Sequence, residues 1–294
     1  MLARLVKLMI SGSLAVAVTA AYASTPTFDK LVVFGDSYND VGNLYAVSGY
    51  PPAPYYMGRF SDGPLWIEHV AGFLHVPLTP YVLGGTDFAF GGAWATAPQK
   101  LGTGFIPSVP QQVGIYLQLN GGKADPNALY VIEGGGNDIV DTGIASPQSS
   151  PQALGSLIAQ NLVYSEQLLR KAGARHFVIP NLFNVGLLPV AAGNVAFASA
   201  ASSAANQGLK ELLAPEEEIQ GIHIVRMDVF SLMSAVQTDP THFGFTDVTD
   251  PCLTTVLCSD PDHTFFWDTF HPTLFGHAFF AVTLENALSQ QQDE

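Results

Sequence analysis

Short apolar runs alternate along the chain with longer segments in which apolar residues recur every three or four positions. Such runs, bounded by turn residues, predict buried strands, and the longer spacing predicts amphipathic helices. The predicted strands are residues 31–34, 87–90, 129–133, 177–180 and 222–227. Strands that alternate with helices are typical of a mostly parallel sheet with crossover helices. The pattern therefore predicts one α/β domain with a five-stranded sheet.

The clearest predicted helix begins at Ser150 and Pro151, which suit the N-cap and the first helical position, and it ends at Gly173. A last helix is predicted over about residues 273–288. Residues 191–205 are rich in Ala and Ser and predict a helix that packs closely. Residues 48–64 hold four prolines and four aromatic side chains, which predicts a stiff aromatic loop.

The N-terminus has the pattern of a cleavable export signal. Arg4 and Lys7 precede an almost wholly apolar stretch at 8–20, and residues 21–23 form an A-x-A cleavage site. We predict a signal peptide over 1–23 and a mature domain over 24–294, hence a secreted or periplasmic protein; the alternative is an uncleaved membrane anchor. The chain has no Asn-x-Ser/Thr sequon, which favours a bacterial source.

Charge and cysteine content narrow the class of protein. The net charge is −14 with only 11 Lys and Arg, and phosphate binding needs clustered cations, so nucleic acid is excluded as a partner. The acidic run at 216–218 follows Pro215 and predicts a solvated helix start.

Cys252 and Cys258 are the only cysteines, and the oxidising compartment of an exported protein favours a disulfide between them. This short loop is expected to act as a local clamp. As a hypothesis, it also serves as a lid or as a proteolytic switch.

Candidate catalytic residues follow the predicted strands. Ser37 comes directly after the first strand, where open α/β sheets place their sites. Asp268 precedes His271 by three residues, a spacing that lets a carboxylate orient an imidazole and that also occurs at ordinary helix starts. Gly91 with Gly92, and the glycines before Asn137, follow two other strands. Each group either forms an ordinary tight turn or supplies hydrogen-bond donors to an oxyanion.

Taken together, these blocks resemble the SGNH or GDSL lipases and esterases. The four blocks are Phe-Gly-Asp-Ser-Tyr-Asn-Asp-Val-Gly-Asn at 34–43, Phe-Ala-Phe-Gly-Gly-Ala at 88–93, Gly-Gly-Asn-Asp at 135–138, and Asp-Thr-Phe-His-Pro at 268–272. Residues 58–64 also look like the larger plant-type and secreted bacterial branch. The resemblance implies a flavodoxin-like, three-layer α/β/α sandwich.

The resemblance also implies roles for single residues. Ser37 matches the nucleophile, His271 the general base and Asp268 the residue that orients it. The Ser37 N–H, the Gly91 N–H and the Asn137 amide match the oxyanion donors, with Gly92 as the other register for the second donor. Two positions depart from the family pattern. Tyr38 replaces a leucine, which should alter the packing beside the nucleophile. Asp87 replaces an asparagine, so the hydrogen bonds around this position are expected to differ from the family pattern.

The expected function is a secreted serine ester hydrolase acting on lipid or lysophospholipid esters through an acyl-enzyme, with acyl transfer as a further outcome. The alternatives are a short-chain acetylesterase for choline or carbohydrate esters, and a binding module without turnover. No cofactor is expected. Asp260, Asp262 and His263 lie close to Asp268 and His271 in sequence, but no metal is expected there. The expected partners are the ester substrate and, transiently, a membrane surface; oligomeric state stays open.

Overall fold

The protein is described by a computed structural model that covers residues 27–144 and 150–290. The predicted signal peptide at 1–23 lies outside the described residues. The strands are β1 Lys30–Phe34, β2 Gln99–Leu101, β3 Gly104–Ile106, β4 Ala128–Ile132, β5 His176–Val178, β6 His223–Val225, β7 Asp247–Pro251 and β8 Thr264–Phe266. The helices are α1 Asn43–Ser48, α2 Trp66–Phe73, α3 Val109–Leu119, α4 Gly136–Asp138, α5 Pro151–Ala172, α6 Val195–Glu217, α7 Val229–Thr238 and α8 Leu274–Gln290.

The central sheet is parallel and has the strand order β1-β4-β5-β6. The predicted fifth strand lies on the outer side of β1, where Phe88 N–H donates to the Val33 carbonyl at 2.7 Å and Phe90 N–H to the Gly35 carbonyl at 3.1 Å. It joins β1 through a single parallel bridge at Asp87 and forms no longer ladder. The predicted mostly parallel sheet is confirmed, with four full strands and this fifth segment.

Helices cover both faces of the sheet. All residues of β4, and all of β1 after Lys30, are buried, so neither face of these strands meets solvent. Helix α5 packs on α3 and α6, while α2 packs on α8 as a separate layer. This is the predicted three-layer α/β/α arrangement.

Helix α5 has the predicted ends. The Ser150 side chain accepts the Ala153 N–H at 3.1 Å, Pro151 occupies the first helical position, and Gly173 follows the last turn with φ 121°. The small residues of α6 let it approach α5 closely, since a Cβ on Gly155 would lie 2.5 Å from the Ala201 carbonyl oxygen. The close-packed helix predicted from the Ala-rich stretch is therefore confirmed.

The prediction for residues 216–218 is wrong in two respects: the run lies at the end of α6 and not at a helix start, and its first residue is not solvated. Pro215 lies inside α6, and the Glu216 side chain is buried and ion-paired with Arg170 at 2.8 Å. A run of three acidic residues does not reveal that one of them faces α5, because only the packing of the two helices sets that face.

Two further observations concern the predicted disulfide and the helices that could cross a membrane. The Cys252–Cys258 disulfide is present, at the end of β7. No helix in the two described ranges is long and apolar enough to cross a membrane.

Candidate active site

Ser37 lies in a tight turn that directly follows β1. The Asp36 carbonyl accepts the N–H groups of Asn39 and Asp40, both at 3.0 Å. Gly35 is clamped by Gln112, whose amide group donates to its carbonyl and accepts its N–H, each at 2.8 Å. A Cβ at position 35 would lie 2.7 Å from the Asn39 amide nitrogen, so only glycine fits there. Ser37 is thus held rigidly at the carboxyl edge of the sheet.

The structure brings Ser37, His271 and Asp268 together in one hydrogen-bonded line. His271 Nε2 lies 2.7 Å from Ser37 Oγ, and His271 Nδ1 lies 2.8 Å from Asp268 Oδ2. Asp268 Oδ1 also accepts the N–H groups of Phe270 and His271, both at 2.7 Å. The carboxylate therefore folds its own turn and orients the imidazole at the same time.

The Asp268 carboxyl is held in its ionised form. Burial raises its pKa, but His271, the Phe270 N–H and the Tyr55 hydroxyl outweigh burial and lower the pKa to about 2. The Tyr55 hydroxyl donates to Asp268 Oδ2 at 2.7 Å. A carboxylate that stays ionised favours the Nδ1–H tautomer of His271, which leaves Nε2 free to accept the proton of Ser37.

The N–H group of Gly91, the first candidate for the second oxyanion donor, already has an acceptor. The Gly91 N–H donates to Asp40 Oδ2 at 2.8 Å, so it is already used inside the protein. The N–H groups of Ser37 and Gly92 have no acceptor among the residues that the structure describes. Gly92 adopts φ 78°, a left-handed conformation that favours glycine. We therefore propose Gly92, and not Gly91, as the second oxyanion donor.

Asn137 enters the site at the start of α4, directly after β4. Its amide nitrogen lies 3.2 Å from Asp36 Oδ2 and 3.1 Å from the Ala93 carbonyl. Both contacts are at the long end of hydrogen-bond distances, so one hydrogen can be redirected to a stronger acceptor.

Burial raises the pKa of Asp36 to about 6, with nearby His271 and the Tyr38 N–H acting to lower it.

The two departures from the family pattern have structural explanations. The Tyr38 hydroxyl donates to the Phe270 carbonyl at 2.8 Å, and its ring stacks on Phe183 with centroids 4.7 Å apart. Tyr38 thereby ties the nucleophile turn to the histidine turn. Asp87 is buried and accepts N–H groups of Val41, Asn43 and Ala89, so an aspartate satisfies the local donors.

Two residues of the aromatic loop contact the triad in a way that the sequence did not predict. Tyr55 contacts Asp268, and the ring of Phe60 lies 4.9 Å from the His271 ring. Both belong to the predicted aromatic loop, whose composition indicated a rigid wall but not its partner. Ser37 itself is only 2% exposed.

The residues near the disulfide do not form a metal site in the described part of the chain, where no group of three His, Cys, Asp or Glu side chains is arranged to hold an ion. The Asp260 carboxylate instead pairs with His263 Nδ1 at 2.8 Å on the surface.

Residues 31–283 match the model of the GDSL-like lipase/acylhydrolase family. The chain belongs to this family. The family is described as one of lipases and acylhydrolases, enzymes that cleave carboxylic esters.

Three curated relatives of this GDSL-like chain illustrate the range of the family. The phosphatidylcholine-sterol acyltransferase of Aeromonas hydrophila is 31% identical over 82% of this chain and 70% of its own length. The thermolabile hemolysin of Vibrio parahaemolyticus is 25% identical over 86% of this chain, and the chain spans 62% of the length of that relative. A GDSL esterase/lipase of Arabidopsis thaliana is 28% identical over 87% of this chain and 85% of its own.

Proposed function

We propose that this protein is an exported serine ester hydrolase that cleaves lipid or lysophospholipid esters through an acyl-enzyme on Ser37. The observation that carries the proposal is the 2.7 Å contact between Ser37 Oγ and His271 Nε2, continued to Asp268 at 2.8 Å. A nucleophile in contact with a base, and a base oriented by a carboxylate, is the arrangement that activates a serine.

The proposed reaction has two halves. His271 accepts the Ser37 proton as Oγ attacks the ester carbonyl, and it then donates this proton to the departing alcohol. Water, activated by His271, releases the acyl group from Ser37 in the second half. A different hydroxyl compound in place of water gives acyl transfer, so the same residues support both outcomes.

The negative oxygen of each tetrahedral intermediate needs hydrogen-bond donors. In the proposal these are the N–H groups of Ser37 and Gly92 and the amide of Asn137, which releases one of its two long contacts. Loss of one such donor lowers kcat by roughly 100- to 1,000-fold in serine hydrolases.

The lipid assignment has two supports. A relative 31% identical to this chain is named a phosphatidylcholine-sterol acyltransferase. The walls near the triad are apolar, with Phe60 against His271 and Trp267 edge-on to Tyr55 at 6.1 Å. Export is supported by the basic and apolar pattern of residues 1–23.

A short-chain acetylesterase is the second candidate, favoured by the near-complete cover of the nucleophile. Ser37 is 2% exposed and His271 is 8% exposed, which leaves little room for a bulky acyl group in this conformation.

The test is hydrolysis of p-nitrophenyl esters from acetate to palmitate, with lysophosphatidylcholine alongside, by wild-type protein and Ser37→Ala. We expect activity that depends on Ser37 and rises with acyl length. An optimum at acetate favours the second candidate. Near-normal turnover by Ser37→Ala overturns the proposed nucleophile.

A further inference from the structure

An exposed apolar surface lies next to the proposed active site. It is formed by α1, the loop at 56–58, the short helical turn Tyr81–Leu83 and the β2–β3 hairpin; we call it the apolar face. Its most exposed large side chains are Val47 at 54%, Met57 at 68%, Leu83 at 71% and Phe105 at 60%. Single exposed apolar residues are ordinary, but a contiguous group of them indicates an interaction surface.

The parts of the apolar face are in contact with one another. Helix α1 packs on the Tyr81–Leu83 turn. The loop at 57–58 lies against α1 so closely that a Cβ on Gly58 would be 2.4 Å from Tyr45 Cβ. The hairpin completes the face, since Phe105 lines the same groove as Val47 and Val82. The elements that carry the exposed side chains therefore adjoin one another.

A groove of about 640 Å³ runs into this face. None of its lining residues is charged, and its walls include Val47, Val82, Phe90, Leu101, Phe105 and Ile115. A groove with such walls has the chemistry to hold a hydrocarbon chain and offers no partner for a charged ligand.

One wall of the groove is close in sequence to the proposed oxyanion donor Gly92. Phe90 lines the groove and directly precedes Gly91 and Gly92. Ile106, the last residue of the hairpin, lies 3.3 Å from where a Cβ on Gly92 would be. Phe60, which packs on His271, belongs to the same buried cluster as Phe90 and Ile106. A chain in the groove would therefore approach the carbonyl site from one side.

The charge distribution indicates what this face meets. The chain carries a net charge of −14, yet it has no acidic residue at 41–61 and none at 88–124. Lys100 is exposed, lies opposite Phe105 in the hairpin and forms no ion pair with any described residue. A surface that combines apolar side chains with the Lys100 cation, and whose neighbouring Glu68 is ion-paired with Arg59, complements the phosphate and acyl layers of a phospholipid surface.

We propose that the apolar face docks on a phospholipid surface and that its groove receives an acyl chain of the docked lipid. The docking step does not need catalysis, whereas the role of the groove rests on the proposed ester hydrolase function. The remaining surface of this acidic protein stays in water.

The docking step is tested by flotation with phosphatidylcholine vesicles in a Ser37→Ala background, which prevents lipid hydrolysis. Val47→Ser combined with Phe105→Ser removes two exposed groups of the face. Leu157→Ser combined with Val282→Ser, at 47% and 51% exposure on α5 and α8, is the matched control. We expect at least a ten-fold loss of vesicle binding for the first pair and no loss for the control.

Equal binding by both pairs, or no binding by the unsubstituted protein, overturns the docking proposal. Size-exclusion chromatography of the same proteins tests whether the apolar face instead binds a second copy of this chain. A dimer that only the Val47 and Phe105 substitutions dissociate would mean that the face is a subunit interface and would also overturn it.

The groove is tested with Thr103→Trp, which adds bulk at an exposed lining position, and Thr103→Ser as the conservative control. We expect kcat/KM for p-nitrophenyl laurate to fall at least ten-fold in Thr103→Trp, with p-nitrophenyl acetate changed less than two-fold. An equal effect on both esters overturns the groove assignment. Ser37-dependent cleavage of the acetate ester reports separately on the proposed function.

Discussion

The hydroxyl of Tyr55 donates a 2.7 Å hydrogen bond to Asp268 Oδ2, the oxygen that also faces His271 Nδ1. Tyr55 lies in the aromatic loop that follows α1, whereas Asp268 lies just ahead of α8. The contact thus joins two segments 213 residues apart at the point where the imidazole is oriented. It makes Tyr55 a positioning residue for the proposed base.

Tyr55→Phe should therefore weaken the triad without removing any of its members. One donor to the carboxylate is lost, so the pKa of Asp268 rises from its value of about 2. We expect kcat to fall about three- to ten-fold, which corresponds to roughly 1 kcal/mol, the usual net contribution of one hydrogen bond. The measurement is the pH profile of kcat for a soluble ester.

Tyr56→Phe is the control, because Tyr56 is in the same loop and its hydroxyl makes no hydrogen bond within the described residues. An equal loss in both variants would assign the effect to the loop as a whole.

Asn137→Ala tests the oxyanion assignment. Its amide is the only side-chain donor proposed for the oxyanion, and charge develops there only as the intermediate forms. We expect kcat to fall about 100-fold with little change in KM. Steady-state kinetics on p-nitrophenyl butyrate provide the measurement. A rise in KM with kcat preserved would mean that Asn137 binds the ground-state ester instead; Asn161→Ala, a surface substitution on α5, controls for general effects.

Glu166 should make stability depend on pH. Its side chain is fully buried, and burial together with neighbouring Glu216 raises its pKa to about 7, although Arg170 lies 3.3 Å away. A carboxyl whose pKa is raised on folding stabilises the fold at low pH. That contribution is lost as pH rises from about 4.5 through about 7.

Glu166→Gln should flatten this dependence. We expect thermal denaturation to show that the wild-type protein loses up to about 3 kcal/mol more stability than Glu166→Gln between pH 5 and pH 8. Glu211→Gln, at an exposed position on α6, should follow the wild-type curve. Parallel curves for all three proteins would contradict the role of Glu166.

The disulfide should stabilise the fold without governing the chemistry. Closing so short a loop contributes about 2 kcal/mol in the chain-entropy account. The backbone beside it is held independently, since the Cys252 N–H donates to the Phe266 carbonyl and the Leu253 N–H to the Trp267 carbonyl. We expect Cys252→Ser with Cys258→Ser to unfold at lower denaturant and to keep kcat within about three-fold. A large loss of kcat at full folding would instead support the lid hypothesis for this loop.

Much of the fold could be predicted because its signals are local. Helix α5 begins with a capping serine and a proline and ends at a glycine, and the sheet strands are continuous apolar runs. The side chain of Glu216 shows the limit. Its neighbours in sequence predicted a solvated position, but the packing of α6 on α5 turns it toward Arg170.

The sequence by itself determined the contacts between close neighbours. Asp268 and His271 are three residues apart, and Cys252 and Cys258 are six apart, so short segments of backbone bring each pair together. Only the tertiary structure decided that Ser37 meets His271 across 234 residues. It also decided that the Gly91 N–H donates to Asp40, which is why Gly92 is the proposed oxyanion donor. Contacts of this kind depend on how strands and helices pack across the whole sheet, and no local spacing encodes them.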